Sequence, residues 1–147
     1  MGAALVLTVA CGNQATESPS PNDFADGLVA TVSNVTAAGW PHDQLTIDSA
    51  TTNRDTLLLH VQYGGGCRTH RFALLIGSAF MESQPVQVHA RVAHDAGGDM
   101  CKALLAKTLT FDLTPLKTRY HASYGGGAAT IVINFVGQSV SVRYSFD

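Results

Sequence analysis

Residues 130–146, TIVINFVGQSVSVRYSF, decide the fold class. Ile131, Ile133 and Phe135 recur at every second position, and so do Val140, Val142, Tyr144 and Phe146. A period of two places each set on one face of a strand. Gly137-Gln138 between them reads as a two-residue hairpin loop with glycine first, the requirement of a type II′ turn.

The same period runs back toward the N-terminus. Leu109, Phe111 and Leu113 align within Thr108–Leu113. Gln84–His94 gathers Val86, Val88, Ala90 and Val92 on one face, with Gln87, His89 and Arg91 opposite. Thr69–Ile76 gathers His70, Phe72, Leu74 and Ile76. Thr56–Tyr63 is a strand halted by Gly64-Gly65-Gly66, Gln44–Ser49 alternates through Leu45 and Ile47, and Leu28–Val35 is the first candidate strand. Met100–Ala106 contains good helix formers, but it is short and feeds directly into 108–113, so one long or bulged strand fits better. Asp95–Asp99 and Thr114-Pro115-Leu116 read as turns, and no segment shows a long amphipathic helix. About eight short strands between glycine-rich turns predict an all-β fold, an antiparallel β-sandwich or small β-barrel. The tetrapeptide YGGG recurs at 63–66 and 124–127, but its flanks do not match, so it reads as turn chemistry.

At 147 residues the chain fits one domain, and 46% hydrophobic content is enough for a core. Charged residues are only 14%, with Thr, Ser and Gly on the presumed polar faces, a balance that suits sheets. The net charge of -2 and nine scattered Lys and Arg residues argue against a nucleic-acid binder and against an anionic-membrane patch.

The N-terminus reads as an address. AALVLTVA at 3–10 is too short to span a bilayer and has the length of a signal-peptide core. Ala10-Cys11 after this run resembles the lipobox of bacterial lipoproteins, although Thr8 stands where leucine is usual. The resemblance implies lipidation of Cys11 and an envelope location, periplasmic or on the outer surface. Residues 1–11 are then a signal and lipobox remnant, 12–23 a polar, Pro/Ser-rich flexible tether, and 24–147 a single β-domain. With Cys11 acylated, Cys67 and Cys101 remain, and an oxidising compartment favours their pairing.

Cys67 and Cys101 belong to two segments that each hold one cysteine and one histidine beside a glycine turn: GGGCRTH at 64–70 and HDAGGDMC at 94–101. A disulfide requires only that the two strand ends approach within about 6 Å between Cα atoms, and it would contribute roughly 3–4 kcal/mol. Alternatively Cys67, His70, His94 and Cys101 form a tetrahedral set that zinc or copper would accept. His70 shares a face with Phe72 and Leu74 and equally reads as a core histidine. His60 and His89 read as solvent-facing, and His94, Asp95 and Asp99 as turn residues.

Other signals fall away. Gly64–Gly66 lacks the Lys-Ser/Thr and helix of a phosphate-binding loop, and Asp95 and Asp99 lack the rest of a calcium loop. No nucleophile elbow or paired-carboxylate motif occurs. Cys67 with His70 makes a poor nucleophile–base pair, because residues three apart on a strand leave opposite faces. Trp40, Phe80 and Tyr124 are candidate pocket-lining aromatics.

GGGCRTHRF, SFMESQPVQVHARVAHDAGGDMC and LTFDLTPL, spread over about 57–116, are together similar to a pattern of uncharacterised small bacterial lipoproteins. The resemblance implies the envelope address and the cysteine pair, and no activity. The expected function is therefore a non-enzymatic, lipid-anchored binding or structural module with a Cys67–Cys101 disulfide and no cofactor. Its expected partners are the membrane, an envelope protein or a small-molecule ligand, with no nucleic acid. The alternative is a zinc- or copper-binding envelope protein.

Overall fold

The computed structural model describes residues 19–36 and 39–147. Cys11 and the lipobox lie outside the described residues, as does most of the tether. The last tether residues close a 3-10 turn, Pro21–Asp23, on the Ser20 side chain.

Eight strands and one helix follow: β1 (Leu28–Val32), β2 (Thr46–Asn53), β3 (Thr56–Gly65), β4 (Arg71–Gly77), β5 (Val86–Asp95), β6 (Ala103–Asp112), α1 (Thr114–Tyr124), β7 (Ala129–Phe135) and β8 (Ser141–Phe146). They form two sheets, one ordered β1-β4-β5-β7-β8 and the other β2-β3-β6. The sheets face each other as a sandwich and do not close into a barrel. The alternating residues meet between them: Leu57, Leu59 and Val61 of β3 and Leu109 and Phe111 of β6 pack against Phe72, Leu74 and Ile76 of β4, Ile131 and Ile133 of β7 and Tyr144 of β8. β4 is buried on both faces, because Ala73 and Leu75 point outward under a smaller core of Phe24, Ala30, Trp40 and Ala93.

Three local expectations are corrected. First, the larger sheet is mixed. β1 pairs with β4 and β5 with β7 in parallel, while β4–β5 and β7–β8 are antiparallel. A parallel pair requires a crossover. The chain supplies one through β2 and β3 and the other through β6 and α1, so both crossovers pass through the smaller sheet.

Second, Thr114-Pro115-Leu116 begins a helix and is not merely a turn. Asp112 Oδ1 accepts the Thr114 N–H and hydroxyl (2.9 and 2.6 Å), Pro115 suits the first turn, and the Gly125 N–H closes the far end on His121 O. The helix escapes a periodicity reading because it buries only Leu116. It is held instead by polar contacts: Lys117 Nζ donates to both Asp55 oxygens (2.8 and 2.7 Å) and Arg119 Nη2 to Gly77 O (2.8 Å).

Third, the C-terminal hairpin turns through residues 136–140, longer than two residues. The Gln138 N–H reaches Phe135 O (3.1 Å), which puts Gly137, φ 76°, third in the turn and not second. The extra length frees Gln138 to tie the hairpin to the other sheet. Its Oε1 accepts the Ile47 N–H and its Nε2 donates to Leu45 O, both at 3.1 Å.

Candidate functional site

The two Cys/His segments meet at one end of the sandwich. β3 pairs with β6 so that Gly65 lies opposite Ala103, and β4 pairs with β5 so that Phe72 lies opposite His94. Cys67 and Cys101, just beyond β3 and just before β6, form a disulfide with 5.8 Å between their Cα atoms.

Beneath the disulfide lies a line of three side chains. Asp99 Oδ2 accepts three successive main-chain N–H groups, those of Gly66, Cys67 and Arg68, each at 2.9 Å. Its Oδ1 accepts the Cys101 N–H, also at 2.9 Å. His70 Nε2 stands 3.1 Å from Asp99 Oδ2, and His70 Nδ1 stands 2.8 Å from His94 Nε2. His94 Nδ1 faces the carbonyls of Gln44 (3.1 Å) and Asp43 (3.3 Å). Those carbonyls arrive because Pro41–Asp43 runs beside the end of β5, with the Asp43 N–H on His94 O (3.0 Å).

The line begins and ends on acceptors, a carboxylate and two carbonyls. Three hydrogen bonds along it therefore need three N–H protons on two rings, one more than two neutral imidazoles carry. The Asp99 carboxylate balances that extra charge. Its side chain is fully buried. The Cys101 N–H, with those of Cys67 and Arg68 and the His70 ring, holds its carboxyl far below the ordinary range despite burial. Burial pushes His94 down, opposed by the Asp43 and Gln44 carbonyls.

Aromatic rings wall the line in. Phe72 stacks on His94 with an interplanar angle of 4°, and Tyr63 lies within 5.1 Å of both imidazole centroids. Gly65 makes room. With φ at +150°, a Cβ there would stand 2.5 Å from His70 Nε2 and 2.9 Å from Asp99 Oδ2.

His70 and His94 are thus joined to each other, and each cysteine reaches the line through its main-chain N–H and not its sulfur. A disulfide leaves no thiolate, so the four-residue zinc or copper set is not assembled in this oxidised form. Asp99 is the residue that sequence reading missed by treating it as a turn residue. Its signal is an Asp two places before a cysteine after Gly-Gly, a carboxylate able to bond the N–H two residues on. His94 belongs to β5 and is buried, not in a turn. His60 and His89 are exposed. The three candidate aromatics separate: Trp40 packs on Phe24 under the outer face, while Phe80 and Tyr124 stack near the end of α1.

Outside the line, a cleft of about 480 Å³ is bordered by Asp43, Gln62, Tyr63, His94, Cys101 and Leu104. Met100 and Leu104, either side of Cys101, are 88% and 75% exposed.

No protein-family model matches the chain, and no curated protein matches its sequence. The fold is similar to that of a NigD-like immunity protein from Bacteroides caccae, with a TM-score of 0.57 and 19% identity over 76% of this chain and 52% of that one. It is also similar to a candidate lipoprotein from Bacteroides fragilis, with a TM-score of 0.55 and 11% identity over 83% of this chain and 69% of that one. The chain spans about half the length of the first. At such identities the likeness is one of fold.

Proposed function

We propose that the chain is an exported envelope protein, anchored by lipid at Cys11, whose β-domain binds a partner protein at the Cys67–Cys101 corner. The observation that carries this reading is the pairing of exposed apolar side chains with a rigid base. Met100 and Leu104 stand in solvent on either side of a cysteine fixed by a disulfide and by its own N–H on Asp99. A backbone already held in place spares the cost of ordering a loop on binding and leaves only that of the side chains themselves. The lipoprotein and immunity-protein descriptions of the two fold relatives support the address and the choice of a protein partner.

The module is non-enzymatic. Support comes from the engagement of all four ring nitrogens of His70 and His94 with protein atoms, which leaves none for a substrate. The zinc- or copper-binding alternative belongs to a reduced state with both thiolates free.

A photoreactive amino acid at position 100 tests the reading in the producing cell. The expected result is one discrete adduct in the envelope fraction. A diffuse smear, or no adduct, overturns it. Labelled fatty acid is expected to enter the protein and to be lost in Cys11→Ala.

A further inference from the structure

The two long sides of the sandwich differ. On one, β2 and β8 are stitched together: Thr52 Oγ1 donates to Arg143 O at 2.9 Å, and Gln138 bridges from the hairpin to Leu45 and Ile47. On the other, Lys107 and Asp26 pair at 3.0 Å, and the Asp26-Gly27 turn faces β6 from Lys107 to Phe111 across a cleft of about 230 Å³. Above Lys107 this cover ends.

β6 is paired along its whole length with β3 alone. Between Ala103 and Ala106, main-chain groups directed away from β3 therefore have no backbone partner among the described residues. Proteins blunt such edges with proline, charge or a covering segment. Ala103-Leu104-Leu105-Ala106 has none of these, and Leu104 is among the most exposed apolar side chains described. The disulfide at Cys101 fixes the start of the strand.

We infer that this edge takes a strand from the partner: an extended segment of the partner protein adds to β6 over Ala103–Ala106, main chain to main chain, with an apolar side chain against Leu104. The inference rests on the binding reading above and specifies its form. A second copy of the chain fits less well. An antiparallel pair of β6 strands centred near Leu105 would set Lys107 of one copy across from Ala103 of the other. The Asp26-Gly27 cover of each copy would then stand against the other's strand. A single extended segment brings no such cover.

The test uses the Met100 crosslinker with a second change on the edge. Ala103 and Ala106 lie opposite Gly65 and Gln62, and being three apart their N–H groups point to opposite sides of β6. One of Ala103→Pro and Ala106→Pro therefore cuts a bond to β3, and the other removes only an outward donor. The proline variant that melts with the parent is expected to lose the adduct at least tenfold. Ala106→Lys, a change at an exposed side chain, is expected to do the same should neither proline be tolerated. In the purified adduct, amide exchange over 103–106 is expected to slow at least tenfold. An unchanged adduct yield in a folded edge variant overturns the inference while leaving the binding reading intact. No adduct in the parent overturns the binding reading itself, and this inference with it. A dimer in sedimentation that Ala106→Lys dissolves assigns the edge to a second copy, and also overturns it.

Discussion

His70 Nδ1 lies 2.8 Å from His94 Nε2, so two buried imidazoles share one hydrogen bond. Each is bonded at its other nitrogen to an acceptor, so the two rings are held in one line. In nitrogen NMR of histidine-labelled protein, a coupling between His70 Nδ1 and His94 Nε2 through that hydrogen bond is expected. Its absence would remove the shared proton.

Acid is expected to weaken the fold in two steps. His94 is pushed down by burial, so its unfolded form takes a proton first, and stability falls as pH drops below about 6.5. Asp99 is held far below the ordinary carboxyl range, chiefly by the Cys101 N–H. Its contribution is complete above about pH 4 and is lost as pH falls from there toward its folded value. Urea midpoints from pH 7 to pH 2 should show both steps, with the second reduced in Asp99→Asn and its remainder due to Asp55, Asp95 and Asp112, whose carboxyls are also held down. A second step of undiminished size in that variant would assign it to those other carboxylates alone.

Gly65→Ala is expected to cost about 1–3 kcal/mol, from overpacking and from a left-handed backbone that alanine resists. Its Cβ meets the His70 ring and Asp99, whereas a Cβ at Gly64 meets nothing within 4 Å. Gly64→Ala is the control and should unfold near the parent midpoint. Equal losses in the two variants would mean that general strand propensity, and not the His70 contact, is being measured.

The disulfide closes a separation of 34 residues, worth roughly 3–4 kcal/mol in chain entropy. Protein made in an oxidising compartment and denatured with a chelator but no reductant is expected to show no free thiol from Cys67 and Cys101. Two thiols would remove the disulfide and bring the zinc or copper reading forward.

At the opposite end of the sandwich, the Tyr144 hydroxyl donates to Asp55 Oδ1 (2.6 Å), which Lys117 also holds. Tyr144→Phe leaves that oxygen its lysine partner, so a loss of about 1–2 kcal/mol is expected, with the His70 and His94 resonances unmoved. Movement of those resonances would show that the two ends are coupled.

Much of the fold was legible because it rests on period-two alternation. Phe72, Leu74 and Ile76, or Leu109 and Phe111, need only a buried face, and a sequence states that directly. The parallel pairings were not legible, since a strand's pattern does not record which neighbour it finds or in which direction. α1 was hidden because polar partners such as Asp55 and Gly77 O hold it, and these come from far along the chain. Of the site, the cysteines and histidines stood out by type and spacing. Asp99 did not, because its role comes from the N–H groups of Gly66, Cys67 and Arg68, more than thirty residues away, and Gly97-Gly98 just before it made it look like an ordinary turn residue.

Both parallel pairings wait for residues far along the chain. β1 finds its neighbour only after two strands of the other sheet have been made, and β5 must wait for β7. A chain emerging from the ribosome therefore cannot complete the five-stranded sheet until its last strand is available. This order of assembly serves as a built-in delay, holding the larger sheet open until β7 and β8 have been made.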